Sequence, residues 1–271
     1  MSSVEMPPQL PSRNTRKHQF PTGRVVLALV LREMSSRYGR SPGGYLWALL
    51  EPLGGIFILT LAFSLMARTP PLGTSFILYY TTGFVPFSLY MTLSNTVARS
   101  LTFSKPLLTY PAVTWVDALM ARFFLNSLTG IMVSYIIFAI VLLATGLRPN
   151  LDIGKVLQST ALTLLLGVSL GTLNCALIGL IKIWDQVWSI AMRPLFLMSG
   201  VIFLYDTLPQ KVQDILWYNP VLHVVSLMHM GFYPTYHPQH ISPLYVVFFS
   251  LICLTLGLIL LRRWHRDILS N

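Results

Sequence analysis

The stretch GYLWALLEPLGGIFILTLAFSLMA, residues 44–67, carries a single formal charge, Glu51, in a run long enough to cross a lipid bilayer. A hydrocarbon core of about 30 Å takes about 20 apolar residues of helix, because every backbone N–H and C=O there must be satisfied internally. Four further stretches reach that length without interruption, at roughly 75–98, 119–145, 156–181 and 244–261. A sixth, 187–205, is long enough but holds Arg193 and Pro194 near its start. The segment 206–231 is apolar in part, but Asn219-Pro220 cuts it into pieces too short to span. The expected fold is an all-α integral membrane protein with six transmembrane helices and a re-entrant helical hairpin, 206–231, between spans five and six. One transmembrane domain covers 23–271. The preceding residues 1–22, rich in Pro and basic residues and without an apolar core, are expected to be a flexible cytosolic tail rather than a signal peptide.

Composition supports a membrane protein and excludes other classes. Of the 271 residues, 54% are hydrophobic and only 10% charged, against about 25% charged in soluble domains. That hydrophobicity excludes disorder. Two cysteines, Cys175 and Cys253, exclude a disulfide scaffold. The net charge of +10 does not make the chain a nucleic-acid binder, because it accompanies too much apolar surface for one water-soluble core. The charge is a matter of sidedness. With both termini placed in the cytoplasm, all basic residues except Arg68, Arg148, Lys155 and Lys211 fall on the inner side, as the positive-inside rule requires of an even span count.

The chain lacks a phosphate-binding G-x-x-x-x-G-K-[ST] loop, and also H-E-x-x-H and C-x-x-C. It has no row of intramembrane carboxylates of the kind proton-coupled carriers use. No cofactor is expected on this chain, and any energy for work must come from another subunit.

Five constellations are candidates for function. Residues 23–47 place Val25, Val26, Leu29, Val30 and Met34 near one helical face, with Arg24, Arg32, Glu33, Arg37 and Arg40 mostly elsewhere and the helix ended by Gly39 and Ser41-Pro42. This is the pattern of an amphipathic helix on the inner membrane surface, serving as a lipid anchor or as a docking element. Glu51-Pro52 lies inside the first span, where a carboxylate must face protein or water, with Arg37 as a candidate partner. The inner loop 99–117 has two prolines, Pro106 and Pro111, around an apolar Leu107-Leu108, and is either a connector or a short helix covered by protein or lipid. In span four, small residues recur every fourth position, with Gly167 and Gly171 as a G-x-x-x-G pair for close helix packing, within one subunit or across a dimer seam. In the outer hairpin, Asp206 or Thr207 is placed to cap a helix with Pro209 in its first turn, and Asn219-Pro220 turns the chain into a second short helix. The histidines 223, 229, 237 and 240 around it lack metal-ligand spacing and read as polar or interface groups rather than a metal site.

Taken together, L-R-E-M-S-S-R-Y-G-R-S-P-G-G-Y-L-W-A-L-L-E-P (31–52), R-T-P-P-L-G-T-S (68–75), T-G-F-V-P-F (82–87), P-L-L-T-Y-P-A-V-T-W-V-D (106–117), R-P-L-F-L-M-S-G-V-I-F (193–203) and L-W-Y-N-P-V-L-H-V-V-S-L-M-H-M-G-F-Y (216–233) follow a known order. Over roughly 24–266 the chain resembles the permease subunits of ABC-2-type transporters, most closely the capsular polysaccharide export branch. Related O-antigen permeases carry Ser-Pro-Val where this chain has Ser199-Gly200-Val201, which favours the capsule branch and leaves the other open.

The resemblance implies a bacterial inner-membrane homodimer with two copies of a separate ABC ATPase that uses the ATP. It also implies a periplasmic adaptor, an outer-membrane polysaccharide channel and a lipid-linked polysaccharide substrate. By position it makes Arg32, Glu33, Arg37, Tyr38, Trp47 and Glu51 the cytoplasmic interface or gate. Pro106, Leu107, Leu108, Pro111, Asp117 and Asp185 become the ATPase-coupling region, and Pro209, Asn219, Pro220 and His223 the periplasmic gate. Two rival readings remain at this level. One is an integral-membrane enzyme acting on lipid-linked sugars through the outer histidines and Asp206 or Asp214; the other is a passive channel.

Overall fold

The computed structural model describes residues 21–38, 44–108 and 113–270. All regular structure among them is helical: α1 (Pro21–Tyr38), α2 (Gly44–Met66), α3 (Phe76–Ala98), α4 (Ser100–Ser104), α5 (Trp115–Thr145), α6 (Ile153–Leu180), α7 (Trp184–Leu197), α8 (Gln210–Leu216), α9 (Pro220–Phe232) and α10 (Pro243–Ser270), with one 3-10 turn at Tyr205–Thr207.

Five of these helices are long and apolar enough to cross a membrane: α2, α3, α5, α6 and α10. They fall on the five uninterrupted apolar stretches of the sequence. The expected fifth span does not form one helix. α7 has 14 residues, about 21 Å at 1.5 Å per residue, less than a bilayer core. The chain then turns through Ser199 and Gly200, whose φ of +75° is a left-handed conformation natural to glycine, and reaches the 3-10 turn without resuming a helix.

Local chemistry explains the helix boundaries. The Ser75 hydroxyl accepts from the Leu78 amide to start α3. Asp152 accepts from Lys155 N to start α6. Asn219 accepts from Val221 N to start α9, with Pro220 at its first position, where the missing N–H costs nothing.

α3 and α6 are the centre of the bundle. In α3, 67% of the most apolar stretch is buried, against 11% in α2 at the periphery. α6 packs along α10 on one side and α3 on the other; α3 also meets α5 and α9, and α1 lies on α5. α9 is buried on all sides except at Met230. It begins inside the bundle among Phe87, Tyr90, Leu166 and Val201. It emerges where the Gly231 carbonyl accepts from the Asp152 amide at the start of α6.

Candidate functional site

The expected functional residues gather at the two ends of the bundle. At the α4 end, α1 turns Val25, Val26, Leu29, Val30 and Glu33 inward and leaves Leu27, Leu31 and Met34 exposed. Met34 was expected on the same face as these four apolar residues; Glu33 joins them instead, with an ionic partner there. The Arg122 Nε lies 3.4 Å from Glu33 Oε1, with both side chains about 8% exposed. Arg122 also donates from an Nη to the Thr96 carbonyl at 3.1 Å and stacks its guanidinium over Phe103, 4.0 Å from the ring centre. α1, α3, α4 and α5 therefore converge on one arginine.

Arg32 is exposed on the outer side of α1, and Trp47 and Glu51 are exposed on α2. The backbone of α1 extends over Arg37 and Tyr38, but their side chains lie outside the described residues, as does Pro111. Pro106 is exposed, while Leu107 and Leu108 are half-buried in the turn after α4, Leu108 against a cluster of Leu101, Leu119 and Leu261.

Asp117 is 3% exposed and closes a capping box. Its Oδ2 accepts from the Thr114 amide at 2.9 Å and the Thr114 hydroxyl at 2.7 Å, while Thr114 Oγ1 accepts from Asp117 N. Thr114-x-x-Asp117 was visible in the sequence as a helix-start signal. Asp185, in the first turn of α7, receives both of its contacts from one Nη of Arg99, at 3.1 and 3.2 Å. The residues joining α3 to α4 are thus tied to the start of α7 by an exposed ion pair.

Between the two ends, Gly167 and Gly171 face α3 of the same chain. A Cβ at Gly171 would meet Val97 Cβ at 2.7 Å and the Ser94 carbonyl at 2.9 Å; one at Gly167 would meet Leu93. The absence of side chains lets the two helices approach. The G-x-x-x-G pair packs within one chain.

At the opposite end, Pro209 precedes α8, and Asn219 does more than cap α9. Its Nδ2 donates to the Met198 carbonyl at 2.9 Å, binding the end of α7 to the start of α9. His223 is 1% exposed; its Nε2 bonds the Trp217 carbonyl at 2.8 Å and its Nδ1 accepts from the Ser242 amide. His229 is equally buried, with Nδ1 on Thr82 Oγ1 at 2.8 Å and its ring stacked on Tyr79. His240 stacks on Tyr205 with ring centres 4.0 Å apart, places Nε2 3.1 Å from Ser226 Oγ and approaches Asp206 Oδ1 to 3.6 Å. Burial holds the His240 pKa below its usual value, a trend that Asp206 opposes and His223 reinforces. Asp206, His240 and Ser226 stand in line, but Ser226 is 3% exposed on the inward face of α9, out of reach of a bulky substrate. These histidines serve as hydrogen-bonding members of the hairpin; His237 is exposed.

A cavity of about 560 Å³ opens beside this cluster, bordered by the 3-10 turn, α8 and residues 236–240. The sequence reading missed it. Its one forewarning was the density of Tyr, Trp, His and Gln between 205 and 240.

The sequence profile described as ABC-2 type transporter matches residues 24–233 of the chain. The polysialic acid transport protein KpsM of Escherichia coli is 29% identical over 248 residues, covering 91% of this chain and 96% of that protein. The capsule polysaccharide export inner-membrane protein CtrC of Neisseria meningitidis serogroup B is 24% identical over 246 residues, 90% of this chain and 92% of that protein. BexB of Haemophilus influenzae, which carries the same description, is 25% identical over 247 residues, 91% and 93% of the two chains.

Proposed function

The chain belongs to the ABC-2 type transporter family, and from that premise we propose that it is the inner-membrane permease of an exporter for a lipid-linked capsular polysaccharide. The observation that carries this reading is coverage. Relatives described as capsule polysaccharide export inner-membrane proteins align over at least nine-tenths of both chains. An O-antigen or other surface polysaccharide is the alternative cargo.

In this reading the permease is a homodimer that binds no nucleotide. Two copies of a separate ATPase hydrolyse ATP, and a periplasmic adaptor and an outer-membrane channel continue the path. The α4 end is cytoplasmic, with both termini on that side and α1 in the inner membrane surface, its exposed Leu27, Leu31 and Met34 toward lipid. The loop after α4, with Pro106 to Leu108 and Asp185 near it, receives the ATPase. α7 and the turn that follows it together make the fifth of six crossings, and α8 and α9 form a re-entrant periplasmic hairpin that gates the outer mouth. The buried start of α9 supports this role, since irregular backbone at membrane depth persists only inside protein or beside a wet cavity.

Deleting the gene is expected to abolish surface capsule and leave polymer inside the cell, and the tagged chain is expected to co-purify an ATPase. Capsule that still reaches the surface, or purification without any ATPase, overturns the reading. Within the complex, Arg99→Glu is expected to impair ATP-driven export without lowering stability, since an exposed pair is worth only about 0–1 kcal/mol. Adding Asp185→Arg should restore export.

A further inference from the structure

We infer that the cavity beside the hairpin is a saccharide subsite that holds an uncharged pyranose unit of the polymer as it leaves the outer mouth. Its placement on the exit side rests on the exporter reading above; its chemistry does not. The volume, about 560 Å³, falls within the roughly 300–1,000 Å³ of small-molecule sites.

Sugar rings need two things from a site: a flat apolar face for their C–H groups and convergent polar groups for their hydroxyls. Trp217 supplies the face. It is half-buried and fixed on three sides: its Nε1 donates to the His240 carbonyl at 3.2 Å, and its ring packs against Tyr245 and His223. A rigid aromatic anchor loses little entropy on binding.

The polar groups surround it. The Gln213 Nε2 is committed to the Leu208 carbonyl, which leaves its Oε1 as an acceptor at the cavity wall. The Asp206 side chain is half-exposed there, and Gln239 is exposed. Tyr236 lines the same wall. It is only 8% exposed, with its hydroxyl buried beside Asp206 and Ser226. Burial raises the phenol pKa, so the hydroxyl stays protonated.

Charge selects the class of sugar. Among the described residues no lysine or arginine lines the cavity, and Asp206 is its one carboxylate. His240 is held toward its neutral form by burial. An acidic sugar would meet a like charge without a compensating cation, whereas a neutral hexose or N-acetylhexosamine unit meets acceptors, donors and an indole face.

The test uses the full-length protein in lipid nanodiscs with three defined probes: maltohexaose, chitohexaose and an α2,8-linked sialic acid hexamer. At least one neutral probe is expected to give a saturable change in Trp217 fluorescence and to slow amide exchange over 205–217 and 236–240. The sialic acid hexamer is expected to bind at least about tenfold more weakly. Asp206→Ala and Tyr236→Phe should each weaken the neutral probe by about tenfold, the scale of one charge-assisted hydrogen bond.

The exchange measurement on the unaltered protein stands even where a substitution disturbs folding. No saturable change with either neutral probe overturns the subsite. So does tighter binding of the acidic hexamer, or binding that both substitutions leave unaltered. These outcomes are separate from the exporter reading, which stands or falls on capsule at the cell surface.

Discussion

Glu33 and Arg122 meet 3.4 Å apart with their side chains about 8% exposed, so a surface helix is fastened to the bundle by a buried ion pair. Removing one partner strands a charge in a low-dielectric site and costs about 3–5 kcal/mol, whereas replacing both with apolar residues of similar size is often neutral. Glu33→Gln and Arg122→Gln are each expected to lower the thermal midpoint of the purified protein clearly. The double variant Glu33→Met, Arg122→Met should recover most of it. Export that fails in the stable double variant would show that the pair transmits motion as well as holding α1. Single variants as stable as the parent would mean the pair contributes nothing.

The Thr114–Asp117 capping box makes a specific forecast for a residue also expected to touch the ATPase. Thr114→Ala removes one half of the box and should cost about 1 kcal/mol. Asp117→Asn keeps the shape and removes the charge-assisted bonds, and should cost a similar amount. If Asp117 acts through the helix start, both variants lose stability and still co-purify the ATPase. Loss of the ATPase from Asp117→Asn alone would assign the carboxylate to the contact.

Helix α6 should tolerate nothing larger at Gly171 than its neighbours can yield. The Val97 Cβ, 2.7 Å from a substituted Cβ, and the Ser94 carbonyl, at 2.9 Å, leave no space. Overpacking typically costs about 1–3 kcal/mol, and a leucine exceeds a single methyl in size. Gly171→Leu is therefore expected to reduce folded protein in the membrane sharply. Gly54→Ala, where a Cβ meets nothing of this chain within 4 Å, is expected to leave it unchanged. Yield and thermal midpoint in detergent measure both.

The hairpin should loosen on acidification. Burial depresses the His240 pKa below its ordinary 6.5, with His223 adding to the effect and Asp206 opposing it. The unfolded chain therefore binds a proton more readily than the folded one. The contribution of His240 is complete above pH 6.5 and falls away as pH drops from there through its folded value. Amide protection over 221–232, measured relative to the intrinsic exchange rate at each pH, is expected to fall between about pH 7 and pH 5, and His240→Gln should flatten that dependence. Protection that is independent of pH in the parent protein would remove His240 from this role.

The five long helices were legible because a membrane imposes its own length rule. Residues 44–67 or 244–261 can satisfy their backbone in hydrocarbon only as a helix, whatever surrounds them. Where tertiary partners decide, the sequence was silent or misleading. Apolar content made 187–205 look like one continuous helix, yet Gly200 turns the chain and the Asn219 amide takes up the Met198 carbonyl. Glu33 looked like part of the polar face of α1, because nothing near it in sequence announces Arg122. Asp117 shows the opposite case: its cap partner Thr114 is three residues away, so the signal is local and legible in the sequence. Gly167 and Gly171 carry a packing pattern in the sequence, but only the position of Leu93 and Val97 shows which helix they face.

The short helix α7 has a mechanical meaning. Near its first turn it is held by Arg99 through Asp185; at its last turn it is held by Asn219 through the Met198 carbonyl. Between Asp185 and Met198 lie 12 residues, all of them in α7. A hydrogen-bonded helix is stiff along its axis, so in the exporter reading α7 would act as a connecting rod, bending only where Pro194 removes a backbone hydrogen bond. In that reading a push at Asp185 would reach Asn219, the cap of α9, and the left-handed Gly200 beyond Met198 would be the joint.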